Sequence, residues 1–215
     1  MMEIKGVLFD LDGLLVDTEK PFLDCWVDVC VQHGFPVTEK DALTLVGMGV
    51  REEAAQTKQM YGEDFPFEKL REETYRVTVS YHEQHGMRVM RGAQALLSRL
   101  KDKKIPICLA TGTMYERTLW KLRVSGLEDI FDAITTGSDV QKGKPDPSIF
   151  LTAAQKISIA PQNCVGFEDS TVGLLSLHAA GIRSIFIKDI IEPPPDVLQT
   201  VWKRFNSLDE AIGLF

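Results

Sequence analysis

The sequence predicts an α/β fold, a doubly wound parallel sheet into which a small α-helical cap domain is inserted. Three observations carry this expectation. Short runs of branched and aromatic residues, beginning at 4–9, suit strands buried on both faces of a parallel sheet. Those runs alternate with helical patterns, as crossover connections between parallel strands require. Between residues 18 and 87 the pattern is helical without a core strand, far longer than a crossover needs. The α/β core is therefore expected at 1–17 and 88–215, and the helical cap, lying over the strand ends, at 18–87.

The first strand runs straight into Asp10 and Asp12, ahead of a turn at Gly13. Ligands of open α/β sheets gather beyond the carboxyl ends of the strands, so this is where chemistry is expected. With a period of two, both carboxylates lean to one side, and two like charges so close need a cation or a shared proton. A hard divalent ion such as Mg²⁺ takes oxygen ligands and keeps positions open for a substrate phosphate. Alone, Asp and Gly after a strand are ordinary turn formers. The pair gains meaning only if later strands bring matching groups.

Helical patterns follow at 21–33, 39–45, 51–61 and 67–85, with the connections at 15–18 and 86–92 as the expected hinge. In the cap, Gly47 and Gly49 precede Arg51, a candidate for gripping the substrate's distal groups, with Glu19 and Tyr115 as further pocket candidates. A second core strand at 105–110 ends in Thr111, Gly112 and Thr113 before a helix at 115–124. Hydroxyls and unpaired N–H groups at a helix start make a phosphate cradle. After a short strand at 133–136 comes GKPDPSIF, which holds Lys144 between Gly143 and Pro145. The fourth strand, 163–167, runs into Glu168, Asp169 and Ser170 before a helix at 171–180, repeating the acidic ending of the first. A fifth strand is expected at 182–187, then a proline-stiffened connection at 193–195 and a final helix, with Trp202 and Phe205 exposed.

Carboxylates, hydroxyl and amide donors, an ammonium and more carboxylates at successive strand ends are what metal-assisted phosphoryl transfer through an aspartyl intermediate requires. In FDLDGLLVDTE, LATGT, GKPDP and GFEDS the chain resembles the haloacid dehalogenase superfamily of phosphohydrolases, over nearly its whole length. It is most similar to the helical-cap branch, which includes β-phosphoglucomutases and sugar-phosphate or nucleotide phosphatases. The resemblance implies a Rossmann-like core, Asp10 as nucleophile and Asp12 as acid and base. It also implies Mg²⁺ held by Asp10, the Asp12 carbonyl, Asp169 and Glu168, the last directly or through water. Thr111 and Gly112 would hold the phosphate, with the backbone N–H groups of Leu11 and Asp12, while Lys144 neutralises its oxygens. Met114 stands where mutases of this branch have a substrate-binding lysine, Leu14 follows the aspartate motif where Thr or Val is common, and Arg91 replaces a frequent proline at cap exit. The expected activity is thus phosphomonoester hydrolysis of a small phosphorylated metabolite, with a mutase as the alternative. A phospho-accepting signalling switch uses similar groups, but on a later central strand and without a helical insertion.

Composition narrows the partners. Against 31 acidic residues stand 24 Lys and Arg, net charge −7, with no basic stretch, so a nucleic-acid track is not expected. No apolar run reaches the length of a membrane span, and MMEIKGVLFD lacks the basic lead of a signal peptide, so a cytoplasmic enzyme is expected, as monomer or weak homodimer. Cys25, Cys30, Cys108 and Cys164 have no C-x-x-C spacing and are expected as free thiols. His82 and His85 are expected to face solvent at the end of a helix and to bind no metal.

Overall fold

Val7, Leu8 and Phe9 have no solvent exposure. In the computed structural model, which describes residues 4–215, they sit in a central strand of a six-stranded sheet. The chain divides into two units, one holding the residues through Asp17 and Arg88–Phe215, the other Thr18–Met87.

The second unit is helical: α1 Glu19–Gln32, α2 Glu39–Leu43, α3 Val50–Tyr61 and α4 Phe67–His85. Its core is aromatic. Phe65 meets Trp26, Phe35 and Tyr61 with ring centroids 6.0, 4.7 and 5.5 Å away, and Phe67 packs edge-on to Trp26 at 5.7 Å. Thr74 and Thr78 lie on the buried side of α4 without harm because each hydroxyl donates to the carbonyl four residues back, at 2.8 Å. His82 departs from the expected solvent-facing position. It is 3% exposed, with Nδ1 3.4 Å from the Gly86 carbonyl, because it continues the Leu70–Thr74–Thr78 face of α4 at four-residue steps. His85 is exposed and stacks on Tyr81.

The first unit carries β1 Gly6–Phe9, β2 Ile107–Ala110, β3 Ala133–Thr135, β4 Cys164–Glu168, β5 Arg183–Ile187 and β6 Lys203–Phe205. The strands lie in the order β3-β2-β1-β4-β5-β6, every neighbouring pair parallel. The direction of winding reverses between β1 and β4, where open sheets leave a crevice for ligand. Connecting them are α5 Ala93–Asp102, α6 Tyr115–Ser125, α7 Ser148–Lys156, α8 Thr171–Ala179 and α9 Pro195–Leu198. On one face Leu8, Cys108 and Cys164 pack under Phe150 and Ala153 of α7 and Leu177 of α8. On the other, Phe9 stacks on Phe167 at 4.8 Å, and Phe167 lies 6.4 Å from Phe215.

β1, β2, β4 and β5 begin later than their apolar runs. β2 starts after Pro106, which has no N–H for the ladder. The tail differs more. The expected final helix is one turn, α9, followed by β6 and a 3₁₀ segment, Leu208–Leu214. A three-residue edge strand reading KRF has no apolar run to announce it. Trp202 is 40% exposed with Arg183 and Lys203 over its ring. All four cysteines are free; burial pushes the Cys30 thiol up to about 12 and those of Cys108 and Cys164 to about 11, far from reactive thiolates. No helix among the described residues is long and apolar enough to cross a membrane.

The ends of the helical insertion are tied side by side. Val16 bridges Val89 in antiparallel fashion, Asp17 N–H donates to the Arg88 carbonyl at 2.9 Å and Met90 N–H to that of Leu15 at 2.8 Å. Arg88 Nε adds a 2.9 Å bond to the Asp17 carboxylate. Arg91, in place of the usual proline, pairs with Asp209 at 2.8 Å.

Because Phe9 and Phe167 fill the sheet's second face with no exposure, Phe9→Ala is expected to destabilise the protein by about 3–5 kcal/mol in urea unfolding.

Candidate active site

The register that points Leu8 toward α7 also points Asp10 there, two residues on and just past the strand end. Lys144, on the loop before α7, meets it. Its Nζ donates to Asp10 Oδ1 at 2.6 Å and to Glu168 Oε1, and it lies 4.8 Å from the Phe150 ring. The loop is held in place from two sides. Asp146 Oδ1 accepts from the Ser148 N–H at 3.0 Å, and Ser176 of α8 donates to the Asp146 carbonyl at 2.7 Å.

Glu168 is fully buried and fully engaged. Oε2 accepts from the N–H groups of Asp169 and Ser170 and from the Ser170 hydroxyl, at 3.1, 3.0 and 2.9 Å. Gly173 makes this possible: a Cβ there would lie 1.8 Å from Glu168 Oε1. Asp169 stands beside it with Oδ1 buried and accepting no hydrogen bond. Among the described residues, Asp10, Glu168 and Asp169 form a group able to hold a metal ion, with carboxylate oxygens within 4.8 Å of one another. Gly13, at φ +76°, turns the chain over them; a Cβ there would lie 2.5 Å from Asp169 Oδ2 and 3.1 Å from Asp189 Oδ2.

Electrostatics follow from this crowding. Burial pushes the Asp10 carboxyl up to about 7; Lys144 opposes the shift, while Glu168 and Asp12 add to it. Asp169 is raised well above the carboxylate range by burial, then by Glu168, Asp10 and Asp189. Burial works against the Lys144 ammonium, yet Asp10 and Glu168 hold it above the ordinary amine range.

The other side of the crevice is built by the β2–α6 loop. Thr111 is buried, its N–H bound to the Thr135 carbonyl at 3.0 Å, and its Oγ1 accepts from the Thr113 N–H at 3.1 Å. Gly112 joins them with open space where a Cβ would be, and Leu11 is buried beside Asp10. Thr113 was expected on the phosphate, but its hydroxyl donates to Asp12 Oδ2 at 2.7 Å. Tyr115 opens α6, 47% exposed, its N–H on Ser138 Oγ at 3.1 Å. Glu19 and Arg51 belong to the helical unit, at the start of α1 and in the first turn of α3, where Arg51 is exposed.

Two residues near the acids escaped sequence reasoning. Asp189, after β5, adds to the negative field on Asp169; nothing in KDIIE sets it apart from a loop acid. Lys121 of α6 forms an ion pair with Asp12. It lies three residues after Thr118 and next to Leu122, both fully buried, so it borders the buried face of α6.

Lys144 is the cation bound to two acids that burial already disfavours. Lys144→Met is expected to cost about 3–5 kcal/mol at pH 8, where Asp10 is charged and both buried acids have lost their partner. At pH 5 Asp10 is protonated, so the cost shrinks; urea unfolding at both pH values measures the difference.

The profile of the haloacid dehalogenase-like hydrolase family matches residues 7–187. The chain is 33% identical to the phosphorylated carbohydrates phosphatase of Thermotoga maritima over 85% of its own length and 84% of that protein. It is 30% identical to the β-phosphoglucomutase of Bacillus subtilis over 85% and 82%. A solved structure of a HAD family hydrolase from Deinococcus radiodurans, with bound phosphate and sodium, superposes with a TM-score of 0.84 at 26% identity, covering 100% of this chain and 99% of that one. With Asp10 and the Glu168–Asp169 pair at neighbouring strand ends of a parallel sheet and Lys144 reaching Asp10 and Glu168 from the loop before α7, the chain belongs to the haloacid dehalogenase-like hydrolases.

Proposed function

We propose that the protein is a Mg²⁺-dependent phosphomonoester hydrolase that acts on a small phosphorylated metabolite, of the sugar-phosphate or nucleotide class, through an aspartyl-phosphate on Asp10. The observation that carries this reading is the Asp10 carboxylate, buried at a strand end, bound by Lys144 and grouped with Asp169, whose buried Oδ1 accepts no hydrogen bond. Such an orphaned oxygen among acids held above their ordinary range fits a hard divalent cation. Asp10, Asp169 and the Asp12 carbonyl would hold it. Glu168, with both oxygens engaged, supports the site by orienting Lys144 and the Asp169 backbone. When bound, Mg²⁺ neutralises charge on the acids and on the transferring phosphate.

In this reading Asp10 attacks phosphorus, the bond to the leaving oxygen breaks, and Asp12 protonates that oxygen. Asp12 then takes a proton from the water that attacks the phosphoenzyme, and Asp10 is released. Lys144 stays charged through both steps and offers its ammonium to the phosphoryl oxygens. Thr111 accepts from the Thr113 N–H and so keeps its own hydroxyl proton for a phosphate oxygen. The division of labour matches the size of the task. Phosphate-monoester hydrolysis needs accelerations up to roughly 10²¹-fold. General acid–base help supplies only roughly 10²–10⁴-fold, so covalent catalysis and charge neutralisation must provide the rest.

A phosphorylated carbohydrate is favoured as substrate by the name of the Thermotoga maritima relative, with Arg51, Glu19 and Tyr115 assigned to its distal groups. The Bacillus subtilis relative keeps a mutase as second reading. Met114 speaks for the hydrolase: at 56% exposure it presents a thioether, and no cation, at the head of α6.

Asp10→Asn is expected to abolish turnover with the melting temperature near that of the unaltered protein; near-normal rates from the folded variant would end the reading. With Mg²⁺, β-glucose 1-phosphate and a bisphosphate primer, the expected product is free phosphate, and accumulation of glucose 6-phosphate would make the protein a mutase. A second expectation concerns the metal. Asp10 has a folded value of about 7, above the ordinary 3.8, so its ionisation costs the metal-free fold stability as pH rises from about 4 through about 7. Mg²⁺ binds the ionised acids and opposes that loss. The rise in melting temperature on adding Mg²⁺ should be larger at pH 8 than at pH 5, and should vanish in Asp169→Asn; equal rises at both pH values would count against a metal on these acids.

A further inference from the structure

Asp12 lies on the turn after β1, where a carboxylate has several rotamers open to it and a cluster of three other acids on one side. Both of its oxygens are nevertheless bound. Oδ2 accepts from the Thr113 hydroxyl at 2.7 Å, and Oδ1 accepts from the Lys121 ammonium, which also approaches Thr113 Oγ1 at 3.4 Å. The pair is not a loose surface contact: the two side chains are 16% and 23% exposed. Lys121 is itself well anchored. The Thr118 hydroxyl donates to the carbonyls of Thr113 and Met114, at 3.3 and 3.1 Å, tying the body of α6 to the loop that carries Thr113. Lys121 and Thr113 thus form one bracket with two donors.

We infer that Lys121 is a positioning residue which, with Thr113, fixes the orientation of the Asp12 carboxylate for proton transfer to the leaving oxygen. The inference rests on the reading of Asp12 as acid and base. Proton transfer requires the donor within hydrogen-bond reach of the oxygen as its bond to phosphorus breaks, and small misplacements are costly. A single hydroxyl leaves the carboxylate free to swing about its one bound oxygen; a second donor on the other oxygen removes that freedom.

A comparison of two substrates tests it. Departure of an alkoxide from a hexose 6-phosphate needs a well-placed proton; departure of 4-nitrophenolate hardly does. For Lys121→Met, kcat/KM on a hexose 6-phosphate is expected to fall roughly 10- to 100-fold, while kcat/KM on 4-nitrophenyl phosphate falls by no more than about threefold on the same grounds. Lys121→Arg, which keeps a donor cation, should recover most of the loss and guards against a variant that merely folds poorly. Equal losses on both substrates, no loss on either, or an arginine variant no better than the methionine one would overturn the inference. Crystal structures of the unaltered protein and of Lys121→Met give a readout independent of turnover: one Asp12 orientation in the first and several in the second are expected, and the same single orientation in both would sink the proposal. Should the unaltered protein hydrolyse neither substrate, the phosphatase reading fails, and the Asp12 orientations still decide what Lys121 does.

Discussion

The strand ends of this protein depend on one ammonium shared by two buried carboxylates. Lys144 binds Asp10 and Glu168, and Asp169 lies in the same crowded space with one oxygen unsatisfied. Three acids against one cation leave two negative charges uncompensated when all are ionised, in a place that water hardly reaches. Burial pushes Asp10 and Asp169 upward, the neighbouring acids add to the shift, and Lys144 alone does not restore them. A divalent cation has the charge that the cluster lacks. The same burial and crowding that raise the proton affinity of the acids also make the cluster a fit for a divalent cation.

Placement of the cluster is a matter of strand register. Leu8 and Asp10 share a side of β1, so the packing of Leu8 under Phe150 of α7 fixes the direction of the carboxylate as well. A slip of one residue would bury Asp10 on the Phe9 face and lose Lys144. Phe150 joins the two demands, since its ring packs in the core and also lies under the Lys144 ammonium. The hydrophobic core thus positions the reactive group, and the hydrogen bonds of Asp146 and Ser176 finish the alignment.

Much of this was legible because strands buried on both faces must be apolar and must end in something else. The runs before Asp10, Thr111 and Glu168 announced both the sheet and the positions of its ligand-facing residues. β6 was not legible, since an edge strand of three residues is stabilised by pairing with β5 and carries no pattern of its own. Nearness to a helix end does not expose His82, because the four-residue spacing from Thr78 determines its face. The bond from the Thr113 hydroxyl to Asp12 was not legible, since the two residues are about a hundred positions apart in the chain. Lys121 was hidden for a related reason: sequence spacing within α6 does not reveal that Asp12, more than a hundred positions earlier, lies opposite.

The two aspartates that open the chain's chemistry end in different surroundings. Asp10 is grouped with other acids and has Lys144 as its cation, so in the proposed mechanism its charge is available to phosphorus only once the surplus around it is balanced. Asp12 is more exposed and turned toward the Thr113 hydroxyl and the ammonium of Lys121. Different environments are what separate a nucleophile from a proton shuttle when both are carboxylates. The spacing of two residues sets the pair beside each other, and elements far apart in sequence, the loop before α7 and the middle of α6, make them unequal.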